Sequence, residues 1–246
     1  MKRRQLIEFE DLDGFPSSVR EGITDYLRFF FSVFRLYLPS VSIIKNLLEK
    51  TGESAIIDLC SGGGGPIMHI VKKLDASGIK DFRVILTDKF PNLSAKKFIS
   101  AKTNGRITFH EKTIDAGNVP KELKGIRVMY SAFHHFDDKK ALEVLQNSVD
   151  CNSPIAIFEG GERRLLYILG VILSTPLLTL FFTPFIRPFR WIKIFFTYVI
   201  PLIPLFAFTD GIVSTIRVRE HEELLILTRL LKKTRLCGNQ EKRKLQ

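Results

Sequence analysis

Cysteine is scarce in this 246-residue chain: Cys60, Cys151 and Cys237 are odd in number and widely spaced. That excludes a disulfide framework and offers no zinc-ligand spacing, so no metal is expected and a reducing compartment is the simple reading. The first ten residues, MKRRQLIEFE, contain no apolar h-region, which predicts no secretory signal. The dinucleotide fingerprint is incomplete as well. Counted from Gly62 and Gly64 its third glycine is replaced by Ile67, and counted from Gly63 and Gly65 by Met68, which disfavours a nicotinamide oxidoreductase. No RNA- or DNA-binding motif accompanies the net charge of +11, so nucleic acid is not an expected partner. Much of that excess sits in the last eighteen residues, whose net charge of +6 suits anionic lipid.

What is present begins with Ala55 to Pro66, AIIDLCSGGGGP: a short apolar run, an acid, then four consecutive glycines before a helix-like pattern. A buried strand that turns sharply on glycine brings main-chain N–H groups to a helix N-terminus, where a ligand can approach closely. Further apolar runs follow at Phe82–Thr87, Ile107–His110, Arg127–Ser131 and Pro154–Phe158. Helix patterns alternate with them, predicting an open parallel α/β sheet with ligands at the strand C-termini. Asp88 closes the second run, where an acid is placed to accept hydrogen bonds from ribose hydroxyls.

The pattern Asp58-x-x-x-Gly62-x-Gly64 resembles motif I of the class I S-adenosylmethionine (SAM)-dependent methyltransferases, with Cys60 where many members carry a further glycine. The segments FEDLDGFP, DYLRFF, SGGGGP, LTDKFPN, AFHHF and DGIVSTIR resemble a little-characterised bacterial branch of that superfamily, over residues 8 to about 225. The resemblance implies a Rossmann-like sheet and SAM as cofactor. It implies Asp58 near the methionyl amino group through water or backbone, Gly62 and Gly64 in the cradle, and Asp88 on the ribose. Asp115 and Ala116 would meet the adenine, and Ser131 opens the motif after the fourth strand. The family's terminal strand hairpin is not visible, because Thr234–Gln246 has no apolar pattern. That loss would remove part of the acceptor wall.

The other outstanding feature is Leu165 to Ile186, twenty-two positions without charge. At 1.5 Å per residue it would span roughly 33 Å, the thickness of a bilayer core. A second apolar run, Ile194–Thr209, follows a short basic loop containing Arg187, Arg190, Trp191 and Lys193. Basic residues on both flanks and Pro176, Pro184, Pro201 and Pro204 favour a monotopic hairpin at the cytoplasmic face, with the loop cations at headgroup level. A two-span anchor and a buried helical cap remain alternatives. Pro39 splits the aromatic stretch Ile23–Leu48 into two expected helices, one of which would cover the cofactor cleft or pack on the sheet.

The expected organisation is thus an N-terminal helical cap (1–50), a SAM-binding domain (51–160), a hydrophobic insert (161–219) and a C-terminal helix with basic tail (220–246). His134 and His135 are candidate proton acceptors, and Glu159 a candidate for orienting an acceptor or for pairing with Arg163. Asp210 and Arg217, which flank the end of the insert, suit either a polar substrate head or a structural pair. The leading expectation is methyl transfer to a lipophilic or membrane-borne small molecule; the alternative is a catalytically silent membrane-associated scaffold. Nothing in the sequence sets the oligomeric state.

Overall fold

The computed structural model describes residues 2–231. The basic tail beyond them, with Cys237, lies outside the described residues. Five strands form one parallel sheet: β1 (Ala55–Leu59), β2 (Arg83–Thr87), β3 (Ile107–Phe109), β4 (Ile126–Tyr130) and β5 (Ile155–Phe158), in the order β3-β2-β1-β4-β5. β1 and β4, flanked on both sides, are buried at every position, Asp58 and Arg127 included, in keeping with their otherwise apolar sequences. The chain leaves β1 toward β2 on one side and reaches β4 on the other, so the order reverses beside the glycine turn. Crevices at such reversals are where open α/β sheets bind ligands.

Nine helices accompany the sheet among the described residues. The helix α1 (Ser17–Phe34) precedes α2 (Ser40–Thr51), with Pro39 at the break as the sequence indicates. The crossovers α3 (Ile67–Ala76), α4 (Leu93–Lys102) and α5 (Asp138–Asp150) follow β1, β2 and β4. Two of them start on side-chain caps: Asn92 accepts the Ala95 N–H at 2.9 Å and Asp137 the Lys140 N–H at 2.7 Å. Both faces of the sheet are packed, one around Ile44, Ile56, Val84 and Val128, the other around Ile57, Leu59, Met129 and Leu145.

After β5 come α6 (Leu165–Phe182), the short α7 (Trp191–Ile194) continued by a π-helical turn to Val199, α8 (Leu202–Arg217) and α9 (His221–Arg229). The last of these opens on a reciprocal cap between Glu220 and Glu223. No strand follows β5 among the described residues. α8 packs against both α6 and α1, so α1 and the insert form one helical layer above the strand C-termini, while α2 packs on the sheet.

Leu165–Phe185 is long and apolar enough to cross a bilayer, and only 11% of its most apolar window is buried in the protein. The buried-cap alternative therefore does not describe α6. The second apolar run is bent by 75° at Pro201. The expected headgroup placement of the loop cations is corrected for two of the three. Lys193 is buried, donating to Asp25 Oδ2 at 3.0 Å, and Arg190 pairs with Glu21 and donates to Ser94 at 3.1 Å. Asp25 is fully buried on α1 and also accepts from Arg28 at 3.1 Å. A buried carboxylate holding two cations explains why the loop folds inward, since leaving it unpaired would cost several kcal/mol.

Candidate active site

Two cavities share a wall at the strand tips. The first, about 370 Å³, is bounded below by the glycine turn and above by α1. Its floor is made by the conformations glycine permits. Gly62 has φ +51°, and its N–H donates to Asp88 Oδ2 at 2.6 Å, tying the turn after β1 to the tip of β2. Asp88 Oδ1 accepts the Phe90 N–H at 2.7 Å. Burial raises the Asp88 pKa, against the pull of these two N–H groups. At Gly63 a Cβ would stand 2.7 Å from the Thr24 carbonyl oxygen, so the close approach of α1 to the turn requires glycine there.

Of the residues expected at the cofactor, Gly62, Asp88, Asp115, Ala116 and Ser131 line this cavity. Asp115 is tied by the Gly117 N–H at 2.7 Å and by Lys140 at 3.1 Å. Ser131, at φ +45°, is hydrogen-bonded to the Tyr37 hydroxyl. Asp58 and Gly64 are not among the lining residues. Asp58 sits within the sheet, 1% exposed, with Oδ1 unpartnered; burial and nearby Asp88 raise its carboxyl well above the usual range. Gly64 serves packing instead, because a Cβ there would lie 2.4 Å from Ile99 Cδ1. Ser61, Gly63 and Gly65 line the cavity in addition, and the Ser61 hydroxyl is buried without a partner. A run of four glycines does not reveal which of them turns the chain and which admits a neighbour.

The second cavity, about 510 Å³, opens between α1, α6 and α8. Small residues make the room: Gly170 and Ser174 on α6, and Ala207, Gly211 and Thr215 on α8. His134 and Glu159 line this cavity and not the first, while His135, Glu10, Ser131, Leu27 and Phe31 line both. Glu159 does not pair with Arg163. It accepts the His134 backbone N–H at 3.1 Å and meets His134 Nδ1 at 2.7 Å. Arg163 instead meets Glu223 at 2.7 Å. Burial acts to raise the Glu159 pKa, but the His134 ring and N–H outweigh it and hold the group below its ordinary value.

Asp210 and Arg217 are structural and do not pair with each other. Asp210 accepts the Phe9 and Glu10 N–H groups at 3.0 and 3.1 Å. Arg217 donates to the His134 carbonyl at 3.0 Å, to Glu8 at 3.0 Å, to Asp11 at 3.1 Å and to the His135 carbonyl. Together they clamp the N-terminal 3-10 turn Phe9–Asp11 against the turn Phe133–His135. This clamp delivers Glu8, Glu10 and Asp11 to the junction, which no periodicity in FED announces. Burial acts to lower the His135 pKa, but Glu8, Asp11 and Glu10 outweigh it and push it up to about 10. Burial, reinforced by Glu8, Asp210 and Asp11, pushes Glu10 up to about 8.

No protein-family model and no curated protein matches the chain. Solved structures give matches of low identity. An O-methyltransferase family protein from Burkholderia thailandensis shares 24% identity over 50% of this chain and 37% of its own, with TM-score 0.37. The mitomycin 7-O-methyltransferase MmcR shares 15% over 48% and 35%, with TM-score 0.35. The plantazolicin methyltransferase BpumL, solved with a monoazolic desmethylPZN analog and SAH, shares 12% over 86% of this chain and 74% of its own, with TM-score 0.48. The chain thus spans little more than a third of the first two.

Proposed function

We propose that the protein is a SAM-dependent methyltransferase acting on a lipophilic acceptor held in the cavity between α1, α6 and α8. The observation that carries this reading is the shared wall: a cavity over a glycine turn and strand-tip acids adjoins a second, helix-lined one through Ser131, His135 and Glu10. Both volumes fall in the range of small-molecule sites.

The first cavity suits the cofactor on its own chemistry. Ser61 offers a buried hydroxyl without a partner, and Asp88, fixed by two N–H groups, keeps acceptor capacity for ribose hydroxyls. Asp115 and Ala116 line the same cavity and suit the adenine. When bound, SAM supplies an electrophilic methyl group on its sulfonium. In-line attack by the acceptor on the methyl carbon would break its bond to sulfur, with S-adenosylhomocysteine (SAH) as the leaving group. The protein's own part is to hold the acceptor oriented, exclude water and receive the acceptor's proton at the His134–Glu159 pair, which lines the second cavity.

The acceptor is read as lipophilic because the second cavity is walled by the apolar helices α6 and α8. The exposed side chains Leu166, Leu173, Leu177, Phe181, Phe185 and Trp191 form an apolar surface on the same layer. Such a surface suits a monotopic seat in the cytoplasmic leaflet. The test has two arms. Labelled SAM is offered with total membrane extract, and recovery of label in extractable small molecules supports the reading, whereas label confined to SAM sinks it. Co-sedimentation with anionic vesicles checks the seat; protein that stays in the supernatant removes the membrane from the account.

A further inference from the structure

The histidine pair after β4 has an arrangement beyond that of two wall residues. His134 presents Nδ1 to Glu159 Oε2 at 2.7 Å, and His135 presents Nδ1 to Asp11 Oδ1 at 2.7 Å. Both Nε2 atoms then face the carboxylates of the N-terminal segment. His134 Nε2 lies 3.8 Å from Glu8 Oε1; His135 Nε2 lies 3.5 Å from Glu8 Oε2 and 3.9 Å from Glu10 Oε1. One ligand atom each from Glu8, His134 and His135 falls within 4.8 Å of the others. Ligand bonds of about 2.0–2.2 Å to a tetrahedral cation put neighbouring donor atoms roughly 3.3–3.6 Å apart, so these three donors would draw together to close on a cation.

Three further facts point to a cation. An imidazole fixed by a carboxylate at Nδ1, with Nε2 turned to a common point, is the arrangement metal-bound histidines adopt. Glu10 Oε2 is shut off from solvent and has no hydrogen-bond partner. Four carboxylates, Glu8, Glu10, Asp11 and Glu159, meet here, and Arg217 is the one guanidinium that contacts them among the described residues. Glu8 is itself held in place, Oε1 by Arg217 at 3.0 Å and Oε2 by the Ser214 hydroxyl at 3.0 Å. A carboxylate with two such bonds retains lone pairs for a metal.

We propose that Glu8, His134 and His135 bind a divalent transition-metal cation, with Glu159 and Asp11 orienting the two imidazoles and Glu10 adding negative charge beside them. Two imidazole nitrogens with a carboxylate oxygen suit zinc and its first-row neighbours, whereas magnesium and calcium favour oxygen alone. The site stands where the two cavities meet, so on the methyl-transfer reading the cation would hold an acceptor oxygen. Binding of the cation itself does not depend on that reading.

Full-length protein, stripped with chelator and exchanged into metal-free detergent buffer, is titrated with zinc chloride by calorimetry, and its bound metal is counted by elemental analysis. The expected result is close to one equivalent at micromolar affinity or tighter. His134→Ala and His135→Ala should each lose that equivalent, and Glu159→Gln should weaken it by about 10-fold or more. Each variant is also titrated with SAH and melted, so that a lost fold is recognised; His135→Gln provides a second, size-preserving variant. Equal zinc uptake by the wild type and a His134→Ala/His135→Ala variant would overturn the proposal, as would no saturable uptake by the wild type. In the latter case the imidazoles serve only as hydrogen-bond partners of the carboxylates. Zinc binding without SAH binding would uphold the metal site and sink the methyltransferase reading; SAH binding without zinc would do the reverse.

Discussion

The two cavities share one wall and are built in opposite ways. The first rests on backbone: a glycine turn, the acid at the tip of β2 and the short loops after β3 and β4. The second is made of side chains from α1, α6 and α8, with a polar floor assembled from the segment just after β5, the histidine turn and the N-terminal segment. A backbone cradle depends on a few local conformations, so one added atom can close it. A side-chain cavity depends on tertiary clamps, so changes there should alter chemistry and leave the cradle alone.

The largest effect that separates the two is expected at Gly63. Replacing it with Val puts a branched side chain where even a Cβ lies 2.7 Å from the Thr24 carbonyl, pushing α1 off the turn at a cost of about 3 kcal/mol. Calorimetry should find SAH binding abolished; retained binding would mean that α1 does not roof the cavity. Next comes Glu159→Gln, which removes the charge that orients His134. Methyl transfer into membrane extract should fall by about 10- to 100-fold with SAH affinity unchanged. A parallel loss of SAH binding would show that the cavities are not separable.

A third change sharpens the contrast from outside. Leu173→Asp together with Leu177→Asp alters side chains that are 69% and 68% exposed, so the fold should persist. Vesicle co-sedimentation should drop about 10-fold or more, since each leucine buried in lipid contributes roughly 1.5–3 kcal/mol. Unchanged sedimentation would move the membrane contact elsewhere. The smallest effect concerns Cys60, which lines the first cavity although burial, then Asp88 and Asp58, raise its thiol well above the ordinary range. Alkylation at pH 7 to 8 should be slow compared with a free thiol and should accelerate only in stronger base; rapid labelling at neutral pH would show the turn to be open to solvent.

The same contrast explains what the sequence revealed. β1, its glycine turn and Asp88 are legible because a buried parallel strand, a sharp turn and a strand-tip acid each impose a local residue pattern. The break at Pro39 is legible for the same reason. Lys193 misled, since nothing near it in sequence shows that Asp25 waits on α1. Glu8, Glu10 and Asp11 were invisible as site residues because their position is set by Arg217 and Asp210, two hundred residues away. Asp58 and Gly64 fit the motif by spacing, yet one faces the sheet interior and the other receives Ile99, distinctions that depend on side-chain direction.

The central claim is that the cavity over the glycine turn binds the cofactor through Asp88. It is tested most directly by titrating detergent-solubilised full-length protein, wild type and Asp88→Ala, with SAH and in parallel with NADH. The wild type should bind SAH at micromolar affinity and not bind NADH, and the variant should lose about 3 kcal/mol, roughly 100-fold, in SAH affinity. Equal SAH affinity in both proteins, or binding of NADH in place of SAH, would contradict it.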